Sequence, residues 1–343
     1  MMLVTYEQTG HIPTKRHVFY EKAFDALFSI HDTAKEGVYK RKTYSNLSVD
    51  DFRNCMSAFC VITYLREQFV FTRLQFRESL QQALKLEKLE INIDDLTSDM
   101  IESTCLIQIE GTDYVFTHRS FQEYFTAVFI SRSPAGGAKA LLDRVCLRQT
   151  DDVITLAYSI NRGLLEREWI IPTLEAVVTS PSAANLLNDP FSFIEDNIGG
   201  LIISIGEKGL PTMTFFLTGI GLTVFTIGRL FPQDRQVSLF TFAPTKSDLE
   251  TINAAYNQMV LKKDARLKHA PRGSTRVLRN LLDNNDYVQK MITLDRSDLE
   301  WVTRTTILTY LERYIKSLRR IVDACKSEAQ DQEDILSELT RNR

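Results

Sequence analysis

The residues able to do chemistry are few and scattered. Five histidines, His11, His17, His31, His118 and His269, are spread over 343 residues. His17 and His31 flank an apolar helical stripe and read as surface or packing residues, with no second ligand at metal spacing, and His269 also lacks metal partners. No metal site is expected. The five cysteines, Cys55, Cys60, Cys105, Cys146 and Cys325, form no CxxC pair. Their odd number fits buried thiols in a reducing cytoplasm rather than a disulfide framework. Phosphate chemistry by a nucleotide-binding loop needs G-x-x-x-x-G-K-[ST], whose backbone N–H groups and lysine cradle phosphates. Neither Gly-Lys-Ser nor Gly-Lys-Thr occurs. Leu89-Glu-Ile-Asn-Ile-Asp-Asp95 imitates an apolar strand ending in two acids, but polar residues interrupt it. Gly219-Ile-Gly221 is glycine-rich without a lysine. Spacing yields no paired catalytic carboxylates and no Ser-His-Asp arrangement, so no catalytic residue is assigned.

Length and charge bound the remaining choices. At ~100–200 residues per domain, the chain has room for two or three domains. With 44% hydrophobic and 25% charged residues it is ordinary globular material. A formal net charge of -3 supplies no global field for nucleic acid or anionic lipid. Residues 1–6 lack the basic and long apolar regions of a secretory signal. They read as the uncapped middle of a helix that begins before residue 1.

The elements that position these residues can be read from periodicity. Thr14 is a cap for a helix with Phe19, Ala23, Leu27 and Ile30 on one stripe, widened by Phe24 and Phe28. Residues 35–42 form a charged loop. Ser48 caps a helix with Phe52, Cys55, Phe59 and Ile62 inward. A short extended run, residues 69–71, precedes a helix over 73–85 with Leu74, Leu80 and Leu84 inward, and another over 92–101. Residues 105–110 and 114–117 flank a Gly111-Thr-Asp113 turn and read as a hairpin. Ser120-Phe-Gln-Glu123 matches a capping box opening a helix that buries Phe121, Phe125 and Val128. Helices followed by a hairpin is the layout of a winged helix. That fold often binds DNA, but a basic recognition helix is missing, so no nucleic acid is expected.

Tyr114-Val-Phe-Thr-His-Arg-Ser-Phe-Gln-Glu-Tyr-Phe-Thr-Ala127 closely resembles the Phe-x-His-x-Ser-Phe-Gln-Glu-Tyr-Phe-x-Ala signature that ends the winged-helix domain of NACHT proteins. These are STAND-class NTPases related to animal NLR immune receptors. Leu3-Val-Thr-Tyr-Glu-Gln-Thr-Gly-His-Ile-Pro-Thr-Lys-Arg16 and Tyr20-Glu-Lys-Ala-Phe24 are similar to the end of the preceding helical domain in bacterial members. The resemblance covers residues 1–131. It implies that His118 contacts a phosphate of bound ADP and helps hold a closed, inactive state. The chemistry suits the place, because imidazole donates to phosphate and a helix N-terminus favours an anion. Without the resemblance, His118 merely links strand to helix. Arg119 and Gln122 read as surface neighbours; Phe116, Phe121 and Phe125 read as core.

The resulting expectation is a mainly α chain with a small β component. Residues 1–43 end a NACHT helical domain, 44–133 form the winged helix with its β-hairpin wing, 138–198 a second helical domain, and 199–343 an α+β domain with a terminal helix. Pro134-Ala-Gly-Gly-Ala138 marks a boundary, and no solenoid period is present. The uncharged run 209–228 reads as a β element, with residues 212–218 and 222–228 as strands around Gly219 and Gly221; a membrane span is the alternative allowed by its length. Residues 201–205 and 237–242 add strands. Residues 262–279 carry seven basic residues against Asp264 alone and read as a solvated face, or as a contact for an acidic partner or nucleic acid, though too few aromatics interleave for a base-stacking platform. Ile307, Leu311, Tyr314, Leu318, Ile321 and Cys325 alternate spacings of four and three, a seam that fails at Glu328 and Gln332. A docked helix is expected there, with an intermolecular coiled coil as the alternative, and a polar tail that frays after Ser327.

The function expected from the resemblance is the regulatory and sensing portion of a bacterial NACHT system in antiviral, anti-phage defence, acting in the cytoplasm. Alone, the chain binds no cofactor and is no enzyme; joined to a nucleotide-binding domain in cis or trans it would share ADP or ATP with Mg. A phage or protein trigger and homo-oligomers on activation are the implied partners. The alternatives are a stand-alone protein-binding module left after loss of the ATPase, and a membrane-acting effector using residues 209–228.

Overall fold

The computed structural model describes residues 6, 10–29, 43–134, 136–205, 211–234, 237, 244–262 and 291–341. Packing divides the chain into two compact units, Met1–Leu165 and Glu166–Arg343. The chain is mainly helical, with two small antiparallel sheets. The N-terminal helix before Tyr6, the loop 35–42, His31, His269, nearly all of the basic run 262–279 and most of the run 237–242 lie outside the described residues.

The first unit is built around α2 (Val49–Leu65), capped by Ser48, whose hydroxyl accepts from Asp51 N. Phe52, Cys55 and Phe59 are buried as their spacing requires, and Met56, Cys60 and Tyr64 are buried too. So many buried positions exceed a single stripe, and α2 is the central post of this unit. Helix α1 (Arg16–Ser29) lies nearby with Ala23, Phe24 and Ala26 buried. Phe19 and Leu27 are only half-buried, so the inward face is turned from the expected stripe. Phe24 sets this rotation by packing edge-on against Phe125, with ring centroids 5.3 Å apart.

Strand β1 (Val70–Phe71) leads into α3 (Arg73–Glu87), opened by a capping box between Thr72 and Gln75. Leu80 and Leu84 point inward, but Leu74 is 67% exposed and Phe76 fills the core instead. Helix α4 (Ile93–Ser98) continues into a π-helical turn, Asp99–Ser103. The buried Asp99 carboxylate accepts from Tyr44 N at 2.8 Å, Ser45 N at 2.9 Å, Ser45 Oγ at 2.5 Å and Ser103 Oγ at 3.0 Å. Four donors offset the cost of removing that charge from water. The hairpin β2 (Ile107–Glu110) and β3 (Asp113–Phe116) then completes a sheet in the order β1-β3-β2. Phe71 and Ile109 both register on Tyr114. Under that sheet Phe59, Phe71, Phe76 and Phe116 cluster with ring centroids 5.3 to 6.1 Å apart. Such ring pairs contribute about 0.5–1.5 kcal/mol each beyond area burial. Helices α5 (Arg119–Arg132), α6 (Gly137–Val145), α7 (Val153–Ile160) and α8 (Arg162–Leu165) finish the unit.

The second unit begins with a π-helical turn, Glu166–Ile170, and helices α9 (Ile171–Val178), α10 (Pro181–Ala184) and α11 (Pro190–Asn197). Strand β4 (Gly199–Ile205) is central in a sheet of order β5-β4-β6, between β5 (Pro211–Leu217) and β6 (Met291–Thr293). Leu201, Ile202 and Ile203 are all buried, so the strand is covered on both faces. Residues 222–228, expected as a strand, belong instead to helix α12 (Ile220–Gly228). The run has no period-2 alternation, and Thr226 Oγ1 donates to Leu222 O one helical turn back. Gly219, at φ +48°, turns the chain between strand and helix. The uncharged run thus divides into two short elements. Among the described residues, no helix is long and apolar enough to cross a membrane.

Helices α13 (Lys246–Leu261) and α14 (Leu299–Val302) precede α15 (Ile307–Arg341). All six seam residues from Ile307 to Cys325 are buried, as the alternating spacing requires. The expected fraying after Ser327 is not seen: the helix runs on to Arg341 with every side chain from 326 exposed.

Candidate functional site

The signature residues surround the start of α5. Strand β3 ends at Phe116, and Thr117 is fixed on both sides, its backbone N–H donating to Leu106 O and its hydroxyl to Cys105 O. The helix begins at once, which makes His118 the N-cap, with extended backbone at φ −142° and ψ 121°. The expected capping box of Ser120 and Glu123 therefore does not form. Its two residues already lie inside the helix, and Glu123 is engaged elsewhere. His118 is exposed and its side chain makes no capping hydrogen bond. The imidazole thus stands beside the first backbone N–H groups of a 14-residue helix, groups that have no intrahelical acceptor.

Arg119 is exposed, as expected, yet it is held. Its guanidinium lies 4.0 Å over the Phe69 ring, and Nε is 3.6 Å from Glu123 Oε1. Gln122 is a correction. Expected at the surface, it is fully buried. Its Nε2 donates to Thr63 Oγ1 and to Gln68 O, each at 2.9 Å. It ties α5 to the end of α2 and to the residues that lead into β1. Helical spacing held the signal: Gln122 shares a face with Phe125, but its polarity hid it. Phe116, Phe121 and Phe125 are core, as expected.

A carboxylate network extends from this helix. Glu123 Oε2 accepts from Asp152 N at 3.4 Å, and Asp152 pairs with Arg16 at 2.7 Å. Asp151 Oδ2 accepts from the Tyr64 hydroxyl at 2.5 Å, while Arg148 lies 4.0 Å over the Tyr64 ring. Burial pushes the Glu123 carboxyl above its ordinary pKa, the Asp152 backbone hydrogen bond opposing it. Burial likewise raises Asp151, against the hydrogen bond from Tyr64. Sequence spacing showed neither acid as part of a site. The arrangement positions and rigidifies; it presents one free imidazole at a helix start and no nucleophile–base pair.

Four of the cysteines, Cys55, Cys60, Cys146 and Cys325, are buried. Burial and the Glu87 carboxylate push the Cys55 thiol up to about 12, and burial raises Cys60 well above its ordinary value. None of the five cysteines is in a disulfide, and Cys105 is the exposed one. No group of three or more metal-ligating side chains occurs among the described residues. Comparison of the chain with protein-family models, with curated proteins and with solved structures finds no match.

Proposed function

We propose that this chain is the regulatory portion of a NACHT-type STAND NTPase in bacterial antiviral defence, and that His118 holds a phosphate of ADP in its closed state. The carrying observation is the exposed, unpartnered imidazole at the N-cap of α5. Both it and the helix start present donors to an anion. We read residues 44–133 as the winged-helix domain. The element order α2, β1, α3, α4, β2, β3 with the sheet order β1-β3-β2 supports that reading, and the acids in the first turn of α4 argue against a DNA-reading role.

The nucleotide and its Mg would be held chiefly by a phosphate-loop domain in cis or trans, since this sequence carries no such loop. His118 supplies a contact made in one state only, which is how a ligand biases a hinge. The trigger would be a phage component or another protein, and opening would favour homo-oligomers.

The test is capture of the tagged chain from its own cells, followed by release and chromatography of bound nucleotide. ADP and a phosphate-loop polypeptide are expected together, and His118→Ala should reduce retained ADP roughly 10-fold or more, the weight of one charge-assisted hydrogen bond. Capture with neither ADP nor such a polypeptide would favour a stand-alone binding module and end this reading.

A further inference from the structure

Within the second unit a groove of about 470 Å3 runs between α15 and the residues at and after the end of α10. Leu186, Leu187 and Ile315 give it an apolar lining, with Leu187 64% exposed. Lys316 and Arg319, one turn apart on α15, line it as cations, together with Glu312. Both cations are exposed and neither forms an ion pair among the described residues. Their neighbours Arg320 and Lys326 do, with Asp234 and Glu175.

The far end of the same helix has the opposite character. Residues 326–341 carry five acids against Lys326 and Arg341. The alternation of four and three that fails at Glu328 and Gln332 resumes at Ile335 and Leu339. Ile335, Leu336 and Leu339 form an apolar stripe with nothing packed on it, at 59%, 61% and 66% exposure. Asp331, Asp334 and Glu338, spaced three and four apart, run as an acidic row beside that stripe.

We propose that the groove receives the 326–341 extension of a second copy of this chain. The stripe would lie on Leu186, Leu187 and Ile315, and the acidic row would meet Lys316 and Arg319. This is an amphipathic helix in a groove, with register fixed by complementary charge. The extension cannot fill the groove of its own chain. Both belong to one continuous helix, and Lys316 and Ile335 lie about 28 Å apart along it at 1.5 Å per residue. Two extensions laid against each other would bring like charges together. At 3.6 residues per turn, Ile315, Lys316 and Arg319 project from the side of α15 away from Ile335 and Leu339. Two copies side by side therefore cannot exchange extensions reciprocally. The contact is head-to-tail and adds further copies one at a time. It uses neither His118 nor a nucleotide, so it stands apart from the nucleotide reading.

The experiment is sedimentation velocity on the full chain without nucleotide, from about 5 to about 200 μM, because one helix in a groove buries less than a standard interface. Average mass should rise with concentration past the dimer, and high salt should reduce the rise. Lys316→Glu with Arg319→Glu removes the groove's charge. Ile335→Asp with Leu339→Asp spoils the stripe. All four positions are exposed, and circular dichroism checks that helix content is kept. Each double variant alone should stay monomeric. An equimolar mixture should form a one-to-one dimer and nothing larger, because one intact groove and one intact extension remain. A native chain that is monomeric throughout overturns the proposal. So does assembly that stops at a dimer, or double variants that assemble like the native chain, or a mixture that stays monomeric.

Discussion

The carboxylate of Asp248 receives both the backbone N–H and the hydroxyl of Thr306, at 2.9 and 2.8 Å, from a residue 58 positions away. The same carboxylate caps α13 through Thr245, accepting its backbone N–H at 2.7 Å. One buried acid therefore ties the start of α13 to the start of α15.

This tie makes the second unit acid-sensitive. Burial alone would raise the Asp248 carboxyl, but hydrogen bonds from Thr245 and Thr306 outweigh it and hold the carboxyl below its ordinary value of 3.8. The folded pKa lies below the unfolded one, so the contribution is full above the unfolded pKa and disappears as pH falls through the folded pKa. Melts from pH 7 to pH 3 should show Asp248→Asn less stable than the native chain at neutral pH, by about 1.5–3 kcal/mol. The gap should narrow below about pH 4. A gap constant with pH would contradict this account.

Gln122 makes a second prediction. Substitution by Met keeps length but leaves Gln68 O without its donor and removes the contact to Thr63. A loss of about 1–3 kcal/mol in denaturant unfolding is expected. Thr63→Val in the same background should cost less than it does alone, because the two share a bond. Strict additivity would show that the pair is not coupled.

These elements mark where the sequence was legible. Ser48, the hairpin and the Ile307–Cys325 seam depend on local chemistry or periodicity, and each appears as expected. Gln122 and Leu74 depart from expectation because side-chain polarity does not by itself fix position; the turn at Thr72 rotates Phe76, not Leu74, inward. The capping box failed because the hairpin fixes where α5 can start, a constraint set by Thr117 and Cys105 across the sheet. His118 is legible only through motif resemblance.

Gly221 tests why residues 222–228 are helical. A Cβ there would stand 1.9 Å from Ile198 O, inside van der Waals contact with backbone. Gly221→Ala should lower stability by about 1–3 kcal/mol or more, read as a lower melting temperature. Gly163→Ala, where nothing lies within 4 Å, should be neutral or stabilising, because alanine favours helix. Equal effects of the two would remove close packing as the cause.

Thiol accessibility follows from burial. At pH 7 a maleimide should label the native chain once, at Cys105, and Cys105→Ser should abolish that label. In denaturant all five cysteines should react. Rapid native labelling of Cys55 or Cys60 would contradict the packing around α2.

The outer part of α15 behaves differently from every other helix described. Residues 326–341 extend for about 24 Å at 1.5 Å per residue, all of them exposed. Isolated helices of this length are marginal because the first turn is costly to form. Here the buried portion from Ile307 to Cys325 supplies that first turn ready-made, so each added residue needs only propagation. Its loss on warming should therefore be gradual, the exposed turns melting while the buried portion from Ile307 to Cys325 holds. The effective reach of this rod would shorten with temperature while both compact units stay folded.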